Sequence, residues 1–388
     1  RALRRGHADR LQTLRAHALG GATWSTDELR RLVVTCPSLR ELHVDCRAKG
    51  SADNFLRDLL ASDTALRPRR LVLHRARPQE PQEADVVVEG EGTSALGEAL
   101  RRCKGSLLEL DARGGELDGA SVEHVGRLLR SPESSIRTLI LPGAVTLTAP
   151  EQMRTFASSL ARCDSLENLQ LGCSSINAEG ASAIASALEA NRSLVQLDLP
   201  HNPILDAGAA ALGRALSVNT SLRTLAVPFT GLGDEACAAL AHALHRAPLD
   251  GEGCGLASLD LAGNRLTAAG IAELAAAIPH SALVSLTLSA NSQVGATGVA
   301  ALAAALPTAR TLRSLRLDGC CVGPSPCGRL AAALAKSSVA TLDLSANEIG
   351  DLGAAELAWR LPECVHMRKL HLACNEIEED GAAELLAA

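Results

Sequence analysis

The sequence predicts an α/β solenoid, a stack of short parallel strands each followed by a helix, and three observations predict it. One phrase, LxxLxLxxNxL, recurs along the chain, clearest in Leu194-Val-Gln-Leu197-Asp-Leu199-Pro-His-Asn202-Pro-Ile204 and in Leu256-Ala-Ser-Leu259-Asp-Leu261-Ala-Gly-Asn264-Arg-Leu266. Most copies follow one another at steps of 27 to 30 residues, which leaves room for one strand and one helix. The chain of 388 residues is 47% hydrophobic but only 1% aromatic, so its core is aliphatic, chiefly Leu and Ala.

Each element follows from the phrase. The apolar residues at its fourth and sixth positions alternate with polar ones and point to one side of a strand, while the first position packs at the strand's entry. The first positions fall at Leu11, Leu39, Pro68, Leu107, Ile136, Leu166, Leu194, Leu222, Leu256, Leu283, Leu312, Val339 and Met367, which makes 13 copies. After each strand an Ala/Leu pattern at helical spacing, as in Ala207–Leu216 and Ala268–Ile278, predicts one helix. Such a strand and helix cannot bury their shared apolar face alone, so neighbouring copies stack into a curved solenoid with strands inside and helices outside. Residues 1–388 are expected to form a single domain, with longer steps marking insertions at 75–92 and 246–255. The chain begins at Arg1 and stops inside a predicted helix, so further sequence is expected at both ends.

Composition narrows the function classes. The formal charge of −6 argues against a general nucleic-acid binder, although the first 75 residues are rich in Arg. The 12 Cys lack any CxxC pair, and with no signal peptide at the N-terminus the expectation is reduced thiols in a cytoplasmic compartment. No apolar run approaches the roughly 20 residues of a membrane span.

The phrase resembles the ribonuclease-inhibitor-like class of leucine-rich repeats, and the resemblance runs from Leu11 to the end of the chain. It implies a horseshoe with parallel strands on the concave face and helices on the convex face. It is specific for fold and not for function, because that class includes inhibitors, nucleotide-binding leucine-rich-repeat immune sensors, actin regulators, axonemal subunits and the Ran GTPase-activating protein.

Position 9 holds Asn202, Asn264, Asn291, Asn347 and Asn375, with Ser174, Thr230 and Cys320 in other copies. A buried Asn both donates and accepts, so this column is expected to satisfy backbone groups freed where each strand turns into its loop. The concave positions are the candidate protein-binding surface. Toward the N-terminus they carry Arg15, Arg40, His43, Arg69, Arg70, His74, Arg113 and Arg137, a basic face suited to an acidic partner. Further along they carry Asp198, Phe229, Asp260, Arg316 and Asp343. Phe229 is the one large ring on that face. The 75–92 insertion, basic at its start and acidic at its end, is a second docking candidate.

No catalytic constellation is legible. GxxxxGK[ST] is absent, HExxH is absent, and His242 and His245 at helical spacing lack acidic company. Cys320, Cys321 and Cys327 lack a fourth metal ligand, and Cys36, Cys103 and Cys163 read as core residues. No cofactor, small-molecule substrate or specific nucleic acid is expected. The sequence therefore predicts a non-catalytic protein-binding scaffold, a subunit of a cytoskeletal or axonemal assembly. Two alternatives are weighed against it: the ligand-sensing repeats of a nucleotide-binding leucine-rich-repeat receptor, and a GTPase activator of the Ran type. The activator alternative rests on Asn264-Arg265-Leu266 following the lengthened connection at 246–255, although Gly263 replaces the Arg of that family's turn.

Overall fold

Every copy of the phrase contributes one strand, and each strand starts two residues after the copy's first position. The computed structural model describes residues 13–16, 40–45, 68–74, 97, 100, 103, 105–112, 119–143, 145–245 and 254–388. The 75–92 insertion and residues 246–253 of the other lie outside the described residues.

The chain forms two compact units, 1–175 and 176–388. The first contains β1 (Thr13–Ala16), β2 (Glu41–Asp45), β3 (Arg70–His74), β4 (Glu109–Asp111), α1 (Gly119–Arg130), β5 (Thr138–Ile140), α2 (Pro150–Ala161) and β6 (Asn168–Gln170). Its strands pair in chain order and in parallel, each copy's third position opposite the next copy's third: Thr13 with Glu41, Glu41 with Arg70, Arg70 with Glu109, Glu109 with Thr138, Thr138 with Asn168.

The second unit opens with α3 (Ala178–Ala190) and then alternates β7 (Gln196–Asp198), α4 (Leu205–Leu216), β8 (Thr224–Ala226), α5 (Asp234–His245), β9 (Ser258–Asp260) and α6 (Ala268–Ala277). It continues through β10 (Ser285–Thr287), α7 (Gly295–Ala305), β11 (Ser314–Arg316), α8 (Cys327–Leu334), β12 (Thr341–Asp343), α9 (Gly350–Arg360), β13 (Lys369–His371) and α10 (Glu379–Ala387). The same parallel register runs from β7 to β13 without a slip. A slip of one residue would turn the leucines outward, which is why the alternation fixes it.

The core lies between sheet and helices. Its inner column is the fourth position: Leu197, Leu225, Leu259, Leu286, Leu315 and Leu342 are each 1% exposed or less. Three helices are followed directly by a leucine or isoleucine and then proline. Pro279, Pro307 and Pro362 sit in the 3-10 turns that follow α6, α7 and α9, since proline withholds the amide that would continue the helix.

Neighbouring helices are joined by a device that the sequence reading missed. Asp206, near the start of α4, accepts hydrogen bonds from the Gly233 and Ala236 amides at the start of α5. Asp234 does the same for Thr267 before α6, and Asp351 for Glu378 and Gly381 at α10. Each carboxylate therefore caps the helix of the next copy, satisfying orphan amides at its positive end. The fit needs glycine at α10, because a Cβ on Gly381 would lie 2.4 Å from Asp351 Oδ1.

Leu197→Asp or Leu259→Asp places an unpaired carboxylate in this column and is expected to remove several kcal/mol of stability, on the order of the burial penalty of a charge. Circular dichroism melts should show loss of the cooperative transition; a native spectrum and unchanged melting temperature would refute the register.

Candidate functional site

The sites of interest are the ends of the strands and the open face of the sheet. At the strand ends the backbone turns at position 8. In every copy from the fifth onward this residue is left-handed: Gly143, Cys173, His201, Phe229, Gly263, Ala290, Gly319, Ala346 and Cys374 have φ between 54° and 69°. Its amide still bonds to the next copy, as His201 N does to Pro228 O and Phe229 N to Ala262 O. The chain thus leaves the ladder one hydrogen bond beyond the strand proper.

The position-9 residues close this turn. Asn264 accepts through Oδ1 from the Thr230 and Leu232 amides of the preceding copy and donates through Nδ2 to Val227 O and Leu261 O. Asn291 repeats the pattern on Asn264 N, Leu266 N, Leu261 O and Leu288 O. Asn347 serves the Cys320 and Val322 amides, Asn375 those of Asn347 and Ile349, and Asn202 that of Ile176. All five are 8% exposed or less. Thr230 keeps the donor by bonding to Val227 O, and Ser174 by bonding to Leu141 O. Cys320 does so with its thiol, which donates to Leu288 O at 3.2 Å. Burial pushes that thiol up to about 11, so it remains an S–H donor. Cys237 and Cys327, likewise buried, are pushed up to about 12 and about 11.

A second asparagine column, also missed, sits at the strand entries. Asn191 accepts from the Ser193 and Leu194 amides, and Asn219 from those of Ser221 and Leu222 while donating to Leu188 O and Asn191 O. Its signal is the repeated Asn-x-Ser-Leu of residues 191–194 and 219–222.

On the open face the third and fifth strand positions are half-buried and project between inward leucines. In the second unit the third position reads Gln196, Thr224, Ser258, Ser285, Ser314, Thr341, Lys369 and the fifth Asp198, Ala226, Asp260, Thr287, Arg316, Asp343, His371. Arg316 lies 3.5 Å from both Asp318 and Asp343, so two of the predicted binding residues neutralise each other. Asp198 and Asp260 flank Ala226 in register. Burial raises the Asp198 carboxyl above its ordinary value; the Gln196 amide at 2.8 Å opposes this and Asp260 adds to it. Burial also raises Asp260, against the Ala262 amide and Arg316, with Asp318 adding to the rise. Asp198 Oδ1 is buried without a hydrogen-bond partner. Phe229 is 50% exposed and stacks on His201 with ring centroids 4.7 Å apart and planes 5° from parallel.

In the first unit Arg40 and Arg69 are exposed, and no ion pair among the described residues engages them. Arg70 and Arg137, predicted as open binding groups, instead form ion pairs of 2.8 Å with Glu109 and Glu167 of the next copy. His43 is corrected more strongly. It is only 8% exposed, within 3.6 Å of Glu41, because its in-register neighbour is the branched, buried Val72. The side chains of Arg15 and His74, and the whole of Arg113, lie outside the described residues. Among the described residues no group of three or more His, Cys, Asp or Glu could hold a metal ion, and no helix is long and apolar enough to cross a membrane. His245 meets His280 edge-on at 4.5 Å.

Two outcomes follow. Asn291→Ala should leave buried amides and carbonyls unpaired and lower stability by about 1–3 kcal/mol for each orphaned group; calorimetry would show it, and Asn291→Cys should recover part by restoring one donor. Because folding raises the pKa of Asp198, the native state binds more protons above pH 3.8, and stability falls as pH rises through the raised value. Asp198→Asn should therefore raise the melting temperature at pH 7 and gain progressively less as the pH approaches 4.

Comparison with known proteins bears on the repeats directly. The Leucine Rich repeat family model matches residues 190–213, 218–241, 256–275, 336–358 and 363–386. No curated protein matches the chain. Among solved structures, the chain is similar to one from the Rad7 and Elc1 complex of yeast, with TM-score 0.52, 18% identity, 91% of this chain and 78% of that chain covered. A chain of the TLR13–ssRNA13 complex is similar at TM-score 0.46, with 15% identity over 92% of this chain and 49% of the other. The tropomodulin C-terminal domain of Caenorhabditis elegans gives TM-score 0.34, 15% identity and coverage of 41% and 92%. The five matched stretches fall on the copies that begin at Leu194, Leu222, Leu256, Val339 and Met367, and there the chain is similar to leucine-rich repeats; the solenoid fold of strand and helix is shared with the yeast structure.

Proposed function

We propose that the chain is a non-catalytic protein-binding scaffold that works as a subunit of a larger assembly of the cytoskeletal or axonemal kind, in the cytoplasm. The observation that carries this reading is the register. In each unit it lines up the second, third and fifth positions of successive copies on one open face, a broad array that mixes polar, charged and a few exposed apolar side chains such as Val195 and Val284. A surface of that kind binds through many modest polar contacts around a few anchors. Leucine-rich repeats supply such a surface, and the yeast relative belongs to a complex of two proteins. Fixed docking within an assembly, rather than ligand sensing, is supported by the irregular early copies and the mixed-charge stretch at 75–92. The activator reading loses its main residue, since the Asn264 amide is 8% exposed and both of its ends are committed to the backbone.

Among the described residues on the open face of the first unit, Arg40 and Arg69, at the second phrase position of adjacent copies, are exposed and outside any ion pair. An acidic partner segment would meet them there. Exchanging both to Glu reverses the charge without touching the core. Affinity capture of the tagged chain from its native lysate, followed by mass spectrometry, should recover a defined set of assembly proteins, and the Arg40→Glu/Arg69→Glu chain should lose them with its melting temperature unchanged. Equal capture by both chains would remove the basic face from the proposal, and recovery of a single small GTPase only in its GTP-loaded state would overturn the scaffold reading.

A further inference from the structure

The helices of the second unit share a register that exposes an exception in α9. Its Gly353 follows Ile349 by four residues and packs against it, as Gly208 packs against Ile204 in α4 and Gly298 against Val294 in α7. Gly180 of α3 and Gly270 of α6 stand at the same offset from Ile176 and Leu266. The residue before this glycine and the sixth after it are exposed in all five helices. Four of them fill the first place with Glu179, Ala207, Ala269 and Thr297, and the second with Ser186, Arg214, Ala276 and Ala304. Each of those side chains is small or polar. In α9 the two places hold Leu352 and Trp359, which are 78% and 77% exposed. Seven residues are within about 20° of two full turns and rise about 10 Å, so the two side chains project from one face. The opposite face, Gly353, Ala354, Leu357 and Ala358, is buried. Among the described residues before Leu352, every other exposed large apolar side chain is at most 51% exposed. Neither Leu352 nor Trp359 contributes much to the core, and the fold is built at these places elsewhere without them.

The charge beside this strip selects what can cover it. Asp351 accepts from the Glu378 and Gly381 amides, so α9 and α10 start side by side. Residues 372–388 contain Glu376, Glu378, Glu379, Asp380 and Glu384 and no Lys, Arg or His. All five carboxylates are exposed, and none is in an ion pair among the described residues. Asp380 lies in the first turn of α10, beside the first turn of α9 that carries Leu352, and Glu384 lies one turn further on. The cation next to Trp359 is engaged, since Arg360 bonds to Glu363 at 2.9 Å. Arg368 and Lys369 belong to the entry and start of β13, in the sheet, and Arg329 is exposed on α8, so the acidic flank is the α10 side. A second copy of the chain laid on the same strip would set carboxylates against carboxylates. A segment with apolar anchors flanked by cations meets both parts of the surface.

We propose that the outer face of α9 is a docking site for a basic amphipathic helix of a partner protein, whose apolar stripe covers Leu352 and Trp359 while its lysine or arginine residues face Asp380 and Glu384 of α10. This inference rests on the scaffold reading and adds to it a second surface, on the helices instead of the sheet, with a stated partner chemistry.

The test uses the full 388-residue chain with Trp24→Phe, which leaves Trp359 as its single indole. The probe is a synthetic helix with leucine at i, i+3, i+4 and i+7 spacing and lysine and alanine elsewhere, and its twin has glutamate for lysine. The lysine peptide should shift Trp359 emission to shorter wavelength, saturably and less at high salt, and the twin should leave it in water. Anisotropy of the labelled peptide should show Leu352→Ser and Trp359→Ser each weakening binding about tenfold or more, as for loss of an anchor, with the melting temperature unchanged because both side chains are exposed. Asp380→Lys with Glu384→Lys should transfer binding from the lysine peptide to its twin. No saturable shift, equal binding of both peptides, or affinity indifferent to Leu352 and Trp359 would each overturn the proposal. So would sedimentation showing that the chain self-associates and that Trp359→Ser dissociates it, since a second copy would then be the occupant. The two readings fail separately. If Arg40→Glu/Arg69→Glu abolishes capture of assembly proteins while the peptide leaves Trp359 in water, the docking face falls and the scaffold stands. If the peptide behaves as expected but capture yields only a GTP-loaded GTPase, the scaffold falls and the docking face stands.

Discussion

The turn at the end of each strand is the constraint on which the molecule depends. A parallel strand of three residues must leave the sheet and feed a helix, and its backbone amides and carbonyls then point into a space that water does not reach. The left-handed residue at position 8 makes the turn, and the side chain at position 9 satisfies the groups that the turn releases. Because Asn264 or Asn291 bonds to amides of the preceding copy and carbonyls of both, the column also locks each copy to its neighbour at a fixed height. The leucine columns, the helix-to-helix carboxylate caps and the in-register open face all inherit that height. Aliphatic burial supplies most of the driving force, but the column determines which leucine meets which.

Electrostatics on the open face follow from the same register. Placing equal positions of successive copies side by side makes every charge a neighbour of whatever the next copy carries there. Arg70 beside Glu109 and Arg137 beside Glu167 are cross-strand pairs produced in this way, and Arg316 is enclosed by Asp318 and Asp343. Such exposed pairs contribute little to stability; their effect is to remove charge from the binding surface. Among the described residues, those left outside any ion pair include Arg40 and Arg69 in the first unit and Asp198 and Asp260 in the second.

The repeat was legible because its signal is local. Alternation within six residues gives the strand and its inward face, and the 13 copies reinforce one another, so even the degenerate copies at Leu11 and Pro68 start their strands in the expected place. The position-9 column was legible because Asn recurs at a fixed offset. The burial of His43, the pairing of Arg70 and Arg137 and the caps from Asp206, Asp234 and Asp351 were not, because each depends on what occupies the same position one copy away. That information is present in the sequence only when read across the period instead of along it. The Asn-x-Ser-Leu of the strand entries could have been found in the same manner. The left-handed turn was hidden for another reason: its residues, from Gly263 and Ala290 to His201 and Phe229, share a backbone conformation and no side-chain chemistry.

In a repeat molecule each structural position is answered many times, so an unusual answer carries weight. At position 9 Cys320 departs from Asn, yet its thiol still donates to Leu288 O and the departure is absorbed by the structure. At position 8 six of the nine copies from the fifth onward carry a residue other than glycine, and Phe229 is the largest of them: its ring is half in water and stacked on His201, with Gly263 leaving it room. At position 5 Asp recurs as Asp111, Asp198, Asp260 and Asp343, beside the uncharged Ala226 and Thr287 that the same backbone accommodates, and burial disfavours the charge of Asp198 and Asp260. The backbone at positions 5 and 8 therefore accepts very different side chains, and what each one does is decided by its neighbours in the adjacent copies.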